Sequence, residues 1–386
     1  MGVRWRRTAL AAVVAVAAGV AGPGGSALAA AHGGALPSVW IRVSAGSSSS
    51  CAIAVNHSLW CWGYNGQGQL GLGDVANRDQ PVQVGTRANW AQVSAGQSAT
   101  CAVRMDHSLW CWGQNHDGQL GIGTTAGRKS PVRVRTGPDW AQVSAGGTST
   151  CAVTTAGALW CWGGNDFGQL GTGSTTSSSV PVQVGTAADW AQVSANGDST
   201  CAVTTAGALW CWGLNIAGQL GNGGTSNSDV PVQTGSAADW AQVSIGGVNT
   251  CAVTTAGTLW CWGGNLAGAL GIGSRVSQDD APVQVGTRSD WTRVSAGGAH
   301  ACGVHADPTL LCWGDNGQGE LGDGATVSRP VPTRATLEGG WWQVSAGLDH
   351  TCGIRGDRTL WCWGDNGNGE LGTGSTTSSD VPVQVG

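Results

Sequence analysis

The sequence predicts an all-β protein, a seven-bladed β-propeller of four-stranded antiparallel blades with about 50 residues to each repeat. Three observations predict it. First, one unit recurs seven times, opening on Trp40, Trp90, Trp140, Trp190, Trp240, Trp291 and Trp342, a spacing of 50 residues four times and then 51 twice. A fixed period of this length marks a propeller, solenoid or array. Second, each copy contains four short apolar or alternating runs separated by Gly and Asn clusters, the pattern of an antiparallel meander. Third, no window carries apolar residues at i, i+3, i+4 and i+7, so helices are not expected. Seven sheets without helices can bury their faces by packing blade against blade around an axis.

The chain reads as two parts, a secretory signal peptide over residues 1–29 and a single propeller domain over 30–386. In the first part Arg4, Arg6 and Arg7 form a positive start, Ala9 to Ala21 a short apolar stretch, and Ala27-Leu28-Ala29 a small-x-small cleavage pattern. The apolar stretch is too short to span a bilayer, so the mature protein is expected to be extracellular with no membrane span.

The third copy shows the strands in order. Trp140-Ala-Gln-Val143-Ser alternates and stops at Ala145-Gly146; Cys151-Ala-Val153-Thr follows; Ala158-Leu-Trp160-Cys161-Trp162 is third; Val180-Pro-Val182-Gln-Val184 is fourth. The third run is apolar on both faces, as a strand covered by blades on both sides requires. The repeat tryptophans therefore read as packing groups, although a stacking platform for sugars stays open, and Leu311 in place of one of them suits packing better.

The cysteines fix a register. Cys151 and Cys161 lie equally far from Ala156, so a three-residue hairpin loop at Thr155-Ala156-Gly157 sets Val153 opposite Leu159 and Cys151 opposite Cys161. The third loop position wants a left-handed residue, and Gly157, Gly207, Gly257, His57 and His107 stand there. Pro308 in the sixth repeat does not suit that conformation, so its hairpin is expected to turn differently. In an exported chain this pairing predicts seven disulfides: Cys51–Cys61, Cys101–Cys111, Cys151–Cys161, Cys201–Cys211, Cys251–Cys261, Cys302–Cys312 and Cys352–Cys362. Buried free thiols are the competing account; a zinc site fits poorly, since no Cys-x-x-Cys occurs, and no metal or cofactor is expected.

Charge excludes one class of partner. The formal charge is -5, and setting aside the three leader arginines leaves -8 with a single lysine, Lys129. Nucleic-acid binding needs a basic footprint, which this chain lacks. No His-Glu-x-x-His, Gly-x-Ser-x-Gly or phosphate-cradling loop is present, so an enzyme is not expected. The Asp-Asn-Gly stretches at Asp315 and Asp365 read as turns rather than calcium loops.

The stretch Trp162-Gly-Gly-Asn165-Asp-Phe-Gly168-Gln-Leu-Gly171 closely resembles the repeat of the regulator of chromosome condensation family, Trp-Gly-x-Asn-x-x-Gly-Gln-Leu-Gly. It recurs from Trp62, Trp112 and Trp212, and with one change from Trp262, Trp313 and Trp363, where Ala269, Glu320 and Glu370 replace Gln. The resemblance covers residues 38 to 386. It implies a seven-bladed propeller closed by strands from both chain ends meeting in one blade, with Val381-Pro-Val-Gln-Val385 as the closing strand. It also raises the activity of the family founder, guanine-nucleotide exchange on a small GTPase. Family members often carry a His two residues before the position of the second strand's first Cys, which only His300 and His350 supply here, with Asp349-His350 the nearest match to the acidic-His pair of the exchange face. No insertion could act as a wedge, which points away from exchange.

Positions that vary between otherwise similar repeats mark where a partner could sit. They fall inside Trp-Gly-x-Asn-x-x-Gly: Tyr64, His116, Asp117, Asp166, Phe167, Leu214, Ile216 and Leu266, bordered by Asp349 and His350 on the companion loops. Aromatic and aliphatic side chains among varied polar groups suit a protein interface. The competing account has them fold back over blade edges. The expected function is thus an exported, disulfide-stabilised, monomeric protein-binding module, with a cell-surface or secreted protein as partner and a glycan as the second choice. Exchange-factor-like regulation or an extracellular hydrolase with scattered rim residues are the alternatives.

Overall fold

A computed structural model describes residues 36–134, 139–274 and 276–386; the leader expected over 1–29 lies outside them. Seven four-stranded antiparallel sheets follow one another, and in every sheet the strands lie side by side in chain order. The third blade is representative, with strands Trp140–Ala145, Ser149–Thr154, Leu159–Gly163 and Ser178–Gln183. The first strand of each blade lies beside its neighbours' first strands around a central channel. Leu266–Gly268 forms a single 3-10 turn.

The predicted hairpin register is observed, with Cys151 opposite Cys161, Ala152 opposite Trp160 and Val153 opposite Leu159. All seven disulfides pair as expected, with Cα atoms 4.0 to 4.1 Å apart, the spacing of a non-hydrogen-bonded antiparallel pair. Gly157, His57 and His107 adopt φ of 81°, 63° and 61° at the third loop position. The hairpin at Pro308 turns differently in part: its φ of 29° is lower than the siblings', and it lacks the N–H that closes their turn, as that of Gly157 does by donating to the Thr154 carbonyl. Its carbonyl still accepts from the Trp341 N–H as that of Gly157 does from Trp190. The link to the next blade therefore outweighs the ring's preference for negative φ.

Each blade packs on the one before it through the same cluster. Trp90, Val93, Ala95, Trp110 and Trp112 of the second blade cover Cys51, Ile53, Leu59, Cys61, Leu70 and Val84 of the first. Each disulfide thus lies beneath the next blade's tryptophans. The indole N–H of Trp112 donates to the Gln69 carbonyl at 2.8 Å, and that of Trp162 to the Gln119 carbonyl at 2.9 Å. Gly71 must be glycine because a Cβ there would meet the Trp112 indole. The repeated Gln-Leu-Gly is therefore an inter-blade joint, and the Asn of the repeat serves it: Asn65 Oδ1 accepts from the Leu70 N–H at 3.0 Å.

Ring closure differs from expectation. Among the described residues no blade is shared between the chain ends; the last strand, Ser379–Gln384, pairs within its own blade, Trp361 opposite Gln384 and Cys362 opposite Val383. The seam uses the general interface instead, with Trp40, Trp60 and Trp62 packed on Cys352, Ile354, Leu360, Cys362 and Leu371. The repeat phase is also corrected. The buried indole opening the seventh blade is Trp341, which lies opposite Arg355 as Trp291 does His305. Trp342 is an additional aromatic, half-buried, at a position held elsewhere by Ile41, Ala91 or Thr292.

Candidate functional site

The first-to-second and third-to-fourth strand connections of each blade share one face. They touch directly: the Tyr64 N–H donates to the Ser48 carbonyl, Leu214 to Asp198 and Asp365 to Asp349, all at 2.8 to 2.9 Å. On this face the fixed residues of the repeat build the loop, and variable ones such as Phe167, Ile216 and Leu266 are exposed. Gln169 Oε1 accepts from the Phe167 N–H at 3.0 Å, and Asn165 Nδ2 donates to the Ser174 and Thr176 carbonyls. The two positions after the Asn are left pointing outward.

These positions sort by blade. Phe167, Ile216 and Leu266 of the third, fourth and fifth blades are 37%, 66% and 67% exposed, and Leu214 is half-buried beside them in its loop. Leu348, on a first-to-second connection, is 44% exposed and was not among the expected residues. His116 and Asp166 are exposed and Asp117 half-buried. Tyr64 is half-buried and lies over its own loop, where a Cβ at Gly66 would strike its hydroxyl. At Tyr64 the fold-back account holds.

His350 is corrected. It is 1% exposed and sits in the seam, its Nε2 2.9 Å from Ser50 Oγ. Burial pushes its pKa down to about 4. It positions the first and seventh blades and cannot meet a partner. His300 is likewise buried, 2.8 Å from Thr351 Oγ1, and burial with the nearby His350 lowers it to about 4. Neither is available as an acid-base group on the surface.

Carboxylates share this face with the apolar side chains. Burial, then the Asp365 and Asp315 charges, raises Asp349; burial, then Asp166 and Asp117, raises Asp198. Glu320 takes the place of a repeat Gln, its Oε2 accepting from the Gln318 N–H at 2.9 Å, and burial with Asp315 and Asp349 nearby pushes it up to about 7. Asp315 and Asp365 do serve turns, accepting from the Asn316 N–H and the Gly367 N–H. Among the described residues no group of three His, Cys, Asp or Glu side chains could hold a metal ion. The channel opens on the same face as a cavity of about 190 Å³, lined by serines such as Ser44 and Ser94, small residues and Gln97. No titratable side chain faces it among the described residues, so it offers recognition by shape and hydroxyl groups rather than acid-base chemistry.

A second cluster escaped sequence reasoning. Trp342 lies under the guanidinium groups of Arg42, Arg293 and Arg358, with Cζ 5.8, 5.5 and 4.7 Å from the ring centroid. Aligning the repeats on Val-Ser-Ala rather than on tryptophan would have set Trp342 apart.

The sequence matches the RCC1-like domain over residues 133–386 and the regulator of chromosome condensation (RCC1) repeat over residues 56–103 and 106–153. Similar solved structures include human WBSCR16, 22% identical with a TM-score of 0.74 over 82% of this chain and 86% of that one. Prp20p of Saccharomyces cerevisiae is 20% identical with a TM-score of 0.77 over 86% and 87%. The ectodomain of the Physcomitrella patens receptor kinase CR4 is 20% identical with a TM-score of 0.52 over 84% and 74%. At these identities the likeness is one of fold. With the repeat present in every blade, the chain belongs to the regulator of chromosome condensation (RCC1) family.

Proposed function

We propose that this propeller is an exported interaction module that binds a cell-surface or secreted protein through its loop face. The observation that carries the reading is the arc of exposed Phe167, Ile216 and Leu266, which fall in the same loop on three consecutive blades. Apolar side chains grouped on one face, rimmed by carboxylates, suit a protein interface. Asp117, Asp166 and Asp198 border the arc, Asp349 and Asp365 lie further round the same face, and together they favour a partner with a basic rim. His116, Leu214 and the half-buried Tyr64 complete the surface.

Seven disulfides support an oxidising compartment, and the leader pattern over 1–29 supports export and cleavage near Ala29. Among the described residues no helix is long and apolar enough to cross a membrane. Two structures of one yeast relative, Prp20, support protein binding as the mode of action: one holds it bound to Kap60, and the other is described with its binding to Gsp1p and histones. The test is affinity capture from culture supernatant and cell-wall extract with the mature chain. An I216S/L266S chain of unchanged melting temperature serves as the control bait. A protein retained by the first bait and lost from the second supports the loop face; equal capture by both refutes it.

A further inference from the structure

Four departures from the repeat meet at one place, the mouth of the channel opposite the loop face. Five blades carry a glutamine two residues after the opening tryptophan, and each clamps the next blade's main chain. Gln92, for example, donates to the Val143 carbonyl and accepts from its N–H, both at 2.9 Å. In the first and sixth blades that glutamine is Arg42 or Arg293, and both clamps are lost. Trp342 replaces a small residue. Arg358 occupies the left-handed hairpin position, with φ of 70°, where three other blades use glycine. Each change costs packing or backbone freedom, yet three blades deliver them to a single indole.

We propose that Arg42, Arg293, Arg358 and Trp342 form a binding site for an oxyanion group, a carboxylate, sulfate or phosphate. None of the three arginines has a carboxylate within ion-pair distance among the described residues. Burial and the neighbouring Arg42 hold Arg293 below the usual arginine range, so the pair is repulsive without a counter-charge. An anion between them offsets that repulsion and uses guanidinium N–H groups in the forked geometry that suits oxyanions. Trp342 holds the guanidinium planes and offers an apolar wall to whatever carries the anion. The mature chain is acidic, so its overall field opposes anions and the attraction must be local. The site lies opposite the loop face and is independent of the function proposed for it.

The experiment is calorimetric titration of the mature chain at low salt with sodium sulfate, citrate and a sulfated disaccharide. Expected are single-site binding of at least one probe and weakening as sodium chloride is raised. Tighter binding of the disaccharide than of sulfate assigns the anion to a sugar chain; equal binding assigns a free ion. The variants R42Q, R293Q and W342A return each position to a residue the repeat uses elsewhere. They should fold, with R42Q/R293Q binding about tenfold or more weakly. R293K, which keeps the charge but gives up the fork, should bind more weakly than the parent and more tightly than R293Q. The proposal is overturned if the parent binds none of the probes, or if R42Q/R293Q binds as the parent does. It is also overturned if the reversions lower the melting temperature while binding is unchanged, since the arginines would then be seam fasteners alone.

Discussion

Gln343 Nε2 donates to the Val43 carbonyl at 2.9 Å, and Gln343 Oε1 accepts from the Val43 N–H at 3.3 Å, across the junction where the last blade meets the first. A second bond crosses the same seam, from the Trp40 N–H to the Arg358 carbonyl at 2.9 Å. With no strand exchanged among the described residues, side-chain and loop bonds of this kind, the His350–Ser50 contact and the Trp62 indole bond to the Glu370 carbonyl included, hold the ring shut together with the tryptophan cluster. Gln343→Ala should therefore cost about 1–2 kcal/mol, the sum of two partly buried hydrogen bonds. Urea denaturation would measure it, and amide exchange should rise first in Trp40–Ala45 rather than evenly round the ring.

The disulfides each close a short loop within a hairpin. Replacing Cys151 and Cys161 together by serine should lower stability by roughly 2–3 kcal/mol through loop entropy, without disturbing the other six blades. Ellman titration of the denatured, unreduced protein should find close to none of the fourteen cysteines free. A count near fourteen would remove the staples from the account.

The register of every hairpin was legible because Cys151 and Cys161 sit symmetrically about Ala156 and a left-handed residue follows at Gly157. Such local symmetry needs no knowledge of the rest of the molecule. Closure was not legible, since a seam built like every other inter-blade contact leaves no mark that distinguishes it from a shared blade. The Trp341-Trp342 doublet misled the phase because a one-residue step had already occurred between Trp240 and Trp291. At the loop face, the repeat told which positions vary but not where they point. Tyr64 curls over Gly66 and His350 turns into the seam, directions set by irregular backbone and by a neighbour distant in sequence.

Glu320 makes stability depend on pH. Its folded pKa of about 7 lies above the ordinary value of 4.5 because burial and the Asp315 and Asp349 charges oppose ionisation. The folded state therefore holds the proton more tightly, and the associated stability is fully present below about pH 4.5 and lost as pH rises towards 7. Glu320→Gln, the residue at this position in four other blades, should raise stability at pH 7 by on the order of 1–3 kcal/mol. It should also flatten the slope between pH 4.5 and 7. The buried His300 and His350 act in the opposite sense: with folded values of about 4, their contribution is present above pH 6.5 and falls away towards 4. Thermal scans across this range separate the two, because only the slope from the carboxylate disappears in the variant.

The rim offers the sharpest contrast between binding and packing. Ile216 and Leu266 are two-thirds exposed, so serine at either removes little buried area and should shift the melting temperature by no more than a degree or two. Their loss should nonetheless weaken a partner at least tenfold if they are anchors, measured by surface plasmon resonance against the captured protein. Tyr64→Ala should behave in reverse, because its ring covers its own loop: a loss of about 1 kcal/mol in stability with a smaller change in affinity. Phe167, at 37% exposed, falls between them, and Phe167→Ala should lower both quantities. If the order is inverted, with Tyr64 dominating affinity and Ile216 dominating stability, the assignment of the apolar arc to recognition is wrong. The outward residues would then be serving the fold.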